Sequence, residues 1–355
     1  SKIAPSPHET KNAMTGNLCR CTGYEPILNA AQAIDLSKHD PLRNRFFSNE
    51  QSEELRKALK TPIALQSNGL AFHAPRDLKK AALLLSKDKT ARIFSGGTDL
   101  GVQINKGKLQ LPTLVSLHLI DALYSICTVP SSGRIRVGAR ATLAKVRREL
   151  KNKVPEFARL LDLFASPQIK NVATLVGNLA NGSPIGDTLP FLLVAGTRID
   201  VVGPEGKRVI AIEDLFTGYR KLSLKRGEFI SAIDFEIPKK SEILRLYKVS
   251  QRKDLDISAI SVALRIARDP RTKKIQTARV AFGGVSATPV RLPRTEKWLE
   301  GQRYSDLITD EVIQRIQQEI TPIGDLRGSA AFRRVLTQNL VQLFLADLKQ
   351  PGATS

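Results

Sequence analysis

Apolar and polar positions divide the chain into a helical start, an alternating helix and strand middle, and a strand-rich region that becomes helical again. Residues 77–85 have the helical period, and residues 91–95 form a short apolar run typical of a buried strand. Residues 260–266 alternate as a half-buried strand does, and residues 278–282 predict the next strand. Near Glu311 the helical pattern resumes. We therefore predict a mixed helix and strand protein with more than one packed region.

Near the start, a polar turn between two glycines holds Cys19 and Cys21. This spacing is poor for a disulfide between the two, but it presents two thiolates to one soft metal centre such as an iron–sulfur cluster. Two free thiols on a loop are the simpler interpretation. Cys127 lies in a segment predicted to be a half-buried strand, so we interpret it as an inert core thiol. Because a cluster normally takes four ligands, we do not expect this chain alone to complete one.

A glycine turn, residues 96–101, directly follows the predicted strand that ends at Ser95. Glycines there permit positive φ and let successive backbone N–H groups converge on an anion, and Thr98 adds a hydroxyl. The spacing matches neither the Rossmann fingerprint nor a P-loop. A phosphate cradle and a tight structural turn are equally good interpretations of this segment.

A second segment of small residues, 173–187, is predicted to be a loop that lies close to a flat polar ligand. Asp187 ends it, directly before a helical run. Its carboxylate is suited either to capping that helix or to accepting hydrogen bonds from sugar-like hydroxyls.

These segments together resemble the xanthine dehydrogenase and aldehyde oxidase family. The cysteine turn, residues 16–31, resembles the second half of the family's helical [2Fe-2S] domain. Both glycine-containing segments, together with residues 247–258, 281–289 and 325–330, resemble its flavoprotein subunit, in particular that of the bacterial xanthine dehydrogenases. The family's other cysteine pair lies upstream, so the resemblance implies that the chain is an N-terminally truncated piece, opening at Ser1 within the helical domain.

The resemblance implies an α+β fold. It comprises an FAD-binding α/β two-subdomain fold of the vanillyl-alcohol-oxidase and xanthine-dehydrogenase type, a C-terminal α+β flavoprotein domain, and a preceding remnant of the helical [2Fe-2S] domain. The implied boundaries are residues 1–40 for the helical remnant, 41–62 for a linker with short helical turns, 63–240 for the FAD-binding domain, and 245–348 for the C-terminal, CO dehydrogenase-like domain.

The resemblance also implies the cofactor contacts. The implied metal ligands are Cys19 and Cys21, and the implied FAD-contacting residues are Ile93, Phe94, Ser95, Gly96, Gly97, Thr98, Asp99, Leu100, Gly101, Phe164, Thr174, Gly177, Asn178, Ser183, Asp187 and Lys248. The family usually has two glycines before Asn178, whereas this chain has Val176 and Gly177. A β-branched residue at the first position would be strained if the backbone there needed positive φ.

Charge and composition indicate which classes of partner the chain can be expected to bind. The net charge is +21, yet basic residues are scattered, only 5% of residues are aromatic, and no RNA-binding or zinc-finger spacing is present. We therefore expect no nucleic-acid partner, and interpret the basic surface as solvated or as docking on an acidic subunit. The apolar runs are too short to cross a bilayer, and the start has no signal-peptide pattern. With only three cysteines, these features predict a soluble cytoplasmic protein without a membrane partner.

By resemblance, the chain is the FAD-bearing electron-transfer subunit of a molybdenum hydroxylase. Hydroxylation would occur at a molybdenum cofactor on a separate large subunit in a hetero-oligomer, and electrons would pass through [2Fe-2S] clusters to FAD and then to NAD. The alternatives are the medium FAD subunit of a carbon monoxide, nicotinate or aldehyde dehydrogenase, a truncated cofactor-free docking module, and a basic nucleic-acid binder. No catalytic side chain is predicted.

Overall fold

Four helices precede the first strand of the protein, whose computed structural model describes residues 6–107 and 110–349. The predicted opening at Ser1 lies outside those residues. The helices are α1 (Pro7–Met14), α2 (Glu25–Ala33), α3 (Leu42–Phe46) and α4 (Asn49–Ala58). The Ser6 hydroxyl and the Glu9 carboxylate form a capping box at the start of α1. Helix α4 is ten residues long, so the predicted linker contains a regular helix rather than only helical turns.

A mixed sheet follows and positions the first glycine turn. Its strands and helices are β1 (Ile63–Ser67), β2 (Leu70–Ala74), α5 (Leu78–Lys87), β3 (Arg92–Phe94), α6 (Thr98–Asn105) and β4 (Thr113–Ser116). The strand order is β1-β2-β4-β3, in which only the β1–β2 pair is antiparallel. Since β3 runs parallel to β4, its carboxyl end leads directly into the turn before α6, a position where ligands bind in parallel sheets.

A five-stranded antiparallel sheet and five helices form the next layer. These elements are β5 (Ile126–Thr128), β6 (Ile135–Gly138), α7 (Leu143–Leu150), α8 (Pro155–Leu163), α9 (Pro167–Lys170), α10 (Leu175–Asn181), α11 (Leu189–Val194), β7 (Arg198–Gly203), β8 (Gly206–Ala211), the hairpin β9 (Phe216–Gly218) and β10 (Lys221–Leu222), and β11 (Phe229–Phe235). The sheet order is β5-β6-β11-β7-β8. Every residue of the central strand β11 is buried, so this sheet is covered on both faces at its centre.

The last region is an antiparallel sheet covered by helices. It contains β12 (Glu242–Val249), β13 (Ile260–Arg268), β14 (Ile275–Gly283), β15 (Val290–Arg291), α12 (Pro293–Leu299), α13 (Thr309–Glu319) and α14 (Ala330–Lys349). Leu244, Ala263 and Ala281 from this sheet pack in the core of the preceding layer. The Arg265 guanidinium also reaches Glu236 across the boundary, at 2.7 Å. The two regions therefore share one packed interface.

Helix α1 and the following turn pack against α9. A Cβ on Gly16 would lie 2.7 Å from Cβ of Ser166, which places the start of the cysteine turn directly on the residue before α9. His8 approaches the Asp162 carboxylate at 4.0 Å. Within residues 6–107 and 110–349, no helix combines the length and the apolar character that a membrane span requires.

The interpretation of Cys127 as a core thiol is wrong. The residue lies on the predicted strand, β5, but its side chain is exposed. Strand β5 lies at the edge of its sheet beside β6, and its three residues are half-buried or exposed, with none in the core. Alternation alone did not indicate which face is covered.

Candidate functional site

A cavity of about 610 Å³ opens beside the carboxyl end of β3, between α6 and α10, with the start of β11 along one side. Its size is that of a site for a large organic ligand. Residues predicted from the sequence that line it are Ile93, Ser95, Gly96, Gly97, Thr98, Asp99, Leu100, Phe164, Thr174, Gly177 and Asn178. The fold therefore brings the two glycine-containing segments to opposite walls of one cavity.

The turn between β3 and α6 needs glycine at two consecutive positions for different reasons. Gly97 has φ +71°, and a Cβ there would lie 2.5 Å from the Phe94 ring. Gly96 has an ordinary φ, but a Cβ there would overlap the carbonyl oxygen of Val172 and lie 2.8 Å from Cα of Ala173. The first glycine thus permits close approach of two backbone segments, and the second permits the left-handed turn.

Helix α6 begins directly at this turn with unsatisfied amide groups. Its N-cap residue, Gly97, has no side chain to accept a hydrogen bond, so no side chain of this residue caps the N–H groups of the first turn, whose residues line the cavity. The positive end of the helix dipole adds to their field. Thr98, the first helical residue, lines the same wall. This wall is suited to an anionic group such as a phosphate.

The second segment, predicted to be a loop, is largely helix. Helix α10 begins after Thr174, whose hydroxyl accepts a hydrogen bond from the N–H of Gly177 at 3.0 Å. The Thr174 hydroxyl lies 3.4 Å from that of Ser95, at the end of β3. The N-terminus of α10 therefore meets the turn before α6, and two helix N-termini border one part of the cavity. The sequence did not predict this helix because its small polar residues weaken the apolar period.

Val176 lies in the first turn of α10 and is buried, with 4% of its surface exposed. Helical backbone has negative φ, which valine adopts without strain. The side chain lines the cavity instead of closing it. The strain that would follow from a positive φ at this position therefore does not arise.

Five residues implied by the resemblance do not line the cavity: Phe94, Gly101, Ser183, Asp187 and Lys248. The Phe94 ring lies against the backbone of Gly97 and supports the turn from behind. Gly101 lies within α6 with open space around it. Ser183 follows the glycine that ends α10, and its carbonyl accepts the N–H of Gly186 at 3.0 Å.

Asp187 and Lys248 instead form a buried ion pair. Lys248 Nζ lies 2.7 Å from Asp187 Oδ2, and the two side chains are 2% and 5% exposed. The Ser258 hydroxyl donates to Asp187 Oδ1 at 2.5 Å and accepts from Lys248 Nζ at 2.7 Å. Thr188 is the N-cap of α11 and accepts no cap bond, so Asp187 is not the predicted helix cap. The pair joins β12 to the segment after α10.

The cysteine turn is exposed and lies apart from the cavity lining. Cys21 is exposed and Cys19 is half-buried. Hydrogen bonds from the backbone and side chain of Thr22 lower the pKa of the Cys19 thiol to about 7. A thiolate at neutral pH is the form that ligates iron. No group of three or more His, Cys, Asp or Glu side chains placed to hold a metal ion occurs in the described part of the chain.

Several cavity-lining residues have no signal in the sequence that marks them. They are Arg92, Gln103, Leu117, Ala139, Leu143, Ile169, Arg220, Leu224, Phe229 and Ile230. Phe229 and Ile230, for example, belong to a continuously buried strand, whose pattern does not distinguish a residue facing a cavity from one facing the core. Arg220 has φ +52° in the β9–β10 hairpin, and no sequence rule predicts that conformation for arginine.

Comparison with known protein families identifies the family of this chain. Residues 66–240 match the FAD binding domain in molybdopterin dehydrogenase, and residues 245–348 match the CO dehydrogenase flavoprotein C-terminal domain. Residues 1–32 match the [2Fe-2S] binding domain. The chain belongs to the molybdenum hydroxylase family. It carries that family's FAD-binding domain and a [2Fe-2S]-binding segment, so the family, the α+β fold class, and the FAD and [2Fe-2S] cofactors predicted from the sequence are confirmed.

Relatives of this molybdenum hydroxylase chain differ in their activities. Xanthine dehydrogenase/oxidase of Gallus gallus is 23% identical over 99% of this chain and 31% of its own length. Nicotinate hydroxylase of Emericella nidulans is 26% identical over 95% of this chain and 32% of its own length. The chain thus spans about a third of these curated relatives. In the reconstituted CO dehydrogenase from Oligotropha carboxidovorans, one chain superposes with a TM-score of 0.72 at 24% identity, covering 79% of this chain and 97% of that one.

Proposed function

We propose that this chain is the FAD-bearing electron-transfer subunit of a xanthine dehydrogenase-like molybdenum hydroxylase. The observation that carries the proposal is the meeting of two helix N-termini, before Thr98 and after Thr174, at one cavity of about 610 Å³. A dinucleotide has a doubly charged diphosphate in its middle, and the N-terminus of α6, which has no side-chain cap, is suited to bind it. The proposal includes the domain boundaries predicted from the sequence, which are residues 1–40, 41–62, 63–240 and 245–348.

Different lining residues would bind different parts of the cofactor. The backbone from Gly96 to Thr98 offers amide donors to the diphosphate, and the Thr98 hydroxyl supplements them. Apolar side chains, among them Ile93 and Phe164, provide the flat walls that an aromatic ring system needs. Bound FAD would accept electrons from the iron–sulfur centres and deliver them to NAD. The protein's own part is to orient it and to exclude water from the enclosed portion.

The position of the cysteine turn supports electron entry into the cavity from the side of α9. Gly16, at the start of the turn, lies against Ser166 and Gln168, and the next residue, Ile169, lines the cavity. A single short helix, α9, therefore lies between the cysteine segment and the cavity. Cys19 and Cys21 would provide two of the cluster's ligands. In this proposal a separate large subunit carries the molybdenum cofactor, and the basic surface serves the hetero-oligomeric contact.

The test is a titration of the purified chain with FAD, followed by gel filtration and a flavin absorption spectrum. Gly97→Val is expected to weaken binding by about 1–3 kcal/mol, because the left-handed turn and the contact with Phe94 exclude a branched side chain. Gly133→Val is the matched control, since Gly133 also has positive φ, +66°, but has open space around it and does not line the cavity. Wild-type protein that retains no flavin would contradict the proposal.

NAD as acceptor is tested on the flavin-loaded chain alone. Addition of NADH under anaerobic conditions is expected to bleach the flavin absorption, since electron transfer between flavin and nicotinamide is reversible in principle. A spectrum that does not change would remove NAD from the proposal while leaving the FAD site intact.

The second candidate is the medium FAD subunit of a carbon monoxide, nicotinate or aldehyde dehydrogenase. It is favoured by the superposition on nearly the whole of one chain of the Oligotropha carboxidovorans enzyme, and by the nicotinate hydroxylase among the relatives. The [2Fe-2S]-binding match in the same chain favours the xanthine dehydrogenase type. Flavin reduction in the assembled enzyme by xanthine, but not by nicotinate or carbon monoxide, is the expected result.

A further inference from the structure

Arg140 lies directly behind the glycine turn, in the short segment between β6 and α7. Its Nη1 lies 3.3 Å from the hydroxyl of Ser95, and its Nε and Nη2 both lie 3.4 Å from the hydroxyl of Tyr124. The guanidinium carbon is 5.3 Å from the centre of the Tyr124 ring, which holds the group in a fixed orientation. Arg140 does not line the cavity itself, whereas Ser95 does.

The charge of Arg140 has no counterion in the part of the chain that the structure describes. Among the described residues, its hydrogen-bond partners are two neutral hydroxyls and no carboxylate lies within ion-pair distance. Buried Arg265, in contrast, pairs with Glu242 at 2.9 Å, whereas half-buried Arg334 resembles Arg140 in donating to neutral groups of Gln317 and Ile320. Lys145 adds a second cation nearby, donating to the carbonyl of Tyr124 at 2.7 Å. A half-buried cation is unfavourable without an opposite charge, so this side of the cavity attracts an anion.

Ser95 connects this charge to the glycine turn. Its hydroxyl accepts from Arg140 and lies 3.2 Å from the carbonyl of Ala139, to which it donates. The Thr174 hydroxyl lies 3.4 Å from the same Ser95 oxygen, so three groups from distant segments meet at Ser95. Ser95 also directly precedes Gly96. Hydrogen bonds that fix the position of Ser95 therefore also fix the start of the glycine turn.

We propose that Arg140 is a positioning residue for the diphosphate of FAD, acting through Ser95 and through its unpaired positive charge behind the two helix N-termini. This inference rests on the proposed FAD site and assigns to it a residue that neither the sequence pattern nor the cavity lining indicates. The contribution of the Arg140 charge to FAD affinity should decrease as the salt concentration rises, because solvent ions screen the charge.

The experiment measures FAD affinity by quenching of flavin fluorescence for the wild type, Arg140→Met, Arg140→Lys and Arg148→Met. Arg148→Met is the matched control, since Arg148 lies on α7 with 70% of its side chain exposed. We expect Arg140→Met to weaken FAD binding about tenfold, as loss of a charged hydrogen-bonding group does. Arg140→Lys should recover part of that loss, and Arg148→Met should stay within about twofold of wild type, as surface changes usually do.

Three further measurements distinguish a positioning role of Arg140 from a structural one. The melting temperature of flavin-free Arg140→Met should not fall, because the substitution removes an uncompensated cation. The difference in affinity between wild type and Arg140→Met should shrink as salt rises from about 0.05 M to about 0.3 M. The affinity for ADP, which carries the diphosphate without the flavin, should fall in Arg140→Met by about the same factor as the affinity for FAD.

Equal FAD affinity of Arg140→Met and wild type would overturn the inference. So would a loss that is independent of salt, is not recovered by lysine, and accompanies a lower melting temperature, since that result describes a structural arginine. Wild-type protein that binds neither FAD nor ADP would instead overturn the proposed function itself.

Discussion

The cysteine turn and the cavity are built in opposite ways. The turn consists of nine consecutive residues, its two cysteines are accessible, and it contacts the rest of the protein mainly at Gly16. The cavity is assembled from β3, α6, α10 and β11, and its tightest point is the backbone contact between Gly96 and Val172. One site is therefore encoded locally, and the other exists only in the folded chain.

This difference has an energetic consequence. Substitutions in the exposed turn leave the packing unchanged, so their effect should be confined to ligand binding. Substitutions around the cavity alter buried contacts and should change stability together with affinity. The following predictions, from the largest expected effect to the smallest, test whether the two regions separate in this way.

The buried ion pair beside the cavity should show the largest effect. Lys248→Met leaves the Asp187 carboxylate buried without its cation, and should lower the free energy of unfolding by about 3–5 kcal/mol. Urea unfolding measures this. Arg56→Met is the control, because Arg56 pairs with Glu53 on the exposed face of α4 and should lose less than about 1 kcal/mol. A Lys248→Met loss as small as that of the control would show that the pair does not hold the C-terminal sheet to the cavity region.

Val176→Gly should lower the free energy of unfolding by about 2–3 kcal/mol, since it removes buried carbons and puts glycine in a helix. FAD affinity should not rise, because the valine has helical φ and glycine relieves no strain. Chemical unfolding and a flavin titration on the same preparation give both values. Higher flavin occupancy in the variant would contradict the helical assignment of this residue in the bound protein.

The pair Gly96→Ala and Gly101→Ala compares two glycines at the two ends of a single segment. Gly96→Ala forces a methyl against the backbone of residues 172–173, and should cost about 1–3 kcal/mol together with FAD affinity. Gly101→Ala has open space and a helical position, so it should stabilise the protein by about 0.5–1 kcal/mol. Similar stability changes in the two variants would mean that the approach of the two segments does not depend on glycine.

Cys21→Ser should have the smallest effect on folding, below about 0.5 kcal/mol, because its side chain is exposed. Thermal unfolding and FAD affinity should match those of the wild type, while iron and sulfide content after reconstitution of the assembled enzyme should fall. A substantial loss of stability or of FAD binding in this variant would break the distinction between the two regions.

The sequence predicted the segments whose functional residues are adjacent in the chain. The glycine turn after β3 was identifiable because two glycines, a threonine and a preceding apolar strand lie within a few residues. The sheet of β12 to β15 was identifiable because residues 260–266 alternate in polarity, although the structure buries all seven of them. In contrast, α10 was predicted to be a loop, because its capping by Thr174 and the burial of Val176 are not visible as a helical period. The exposure of Cys127 depended on which residues of β5 the core covers, which its local pattern does not indicate.

What the sequence by itself determined is therefore the family, the fold class, the cysteine turn and the two segments that border the cavity. Only the tertiary structure decided that Lys248 pairs with Asp187, 61 residues away, rather than lining the cavity. It also decided that Arg140 lies behind Ser95, with no counterion among residues 6–107 and 110–349. The physical reason is the range of the interactions. Turns and caps depend on neighbours within a few residues, whereas burial and ion pairing depend on which distant segments the core brings together.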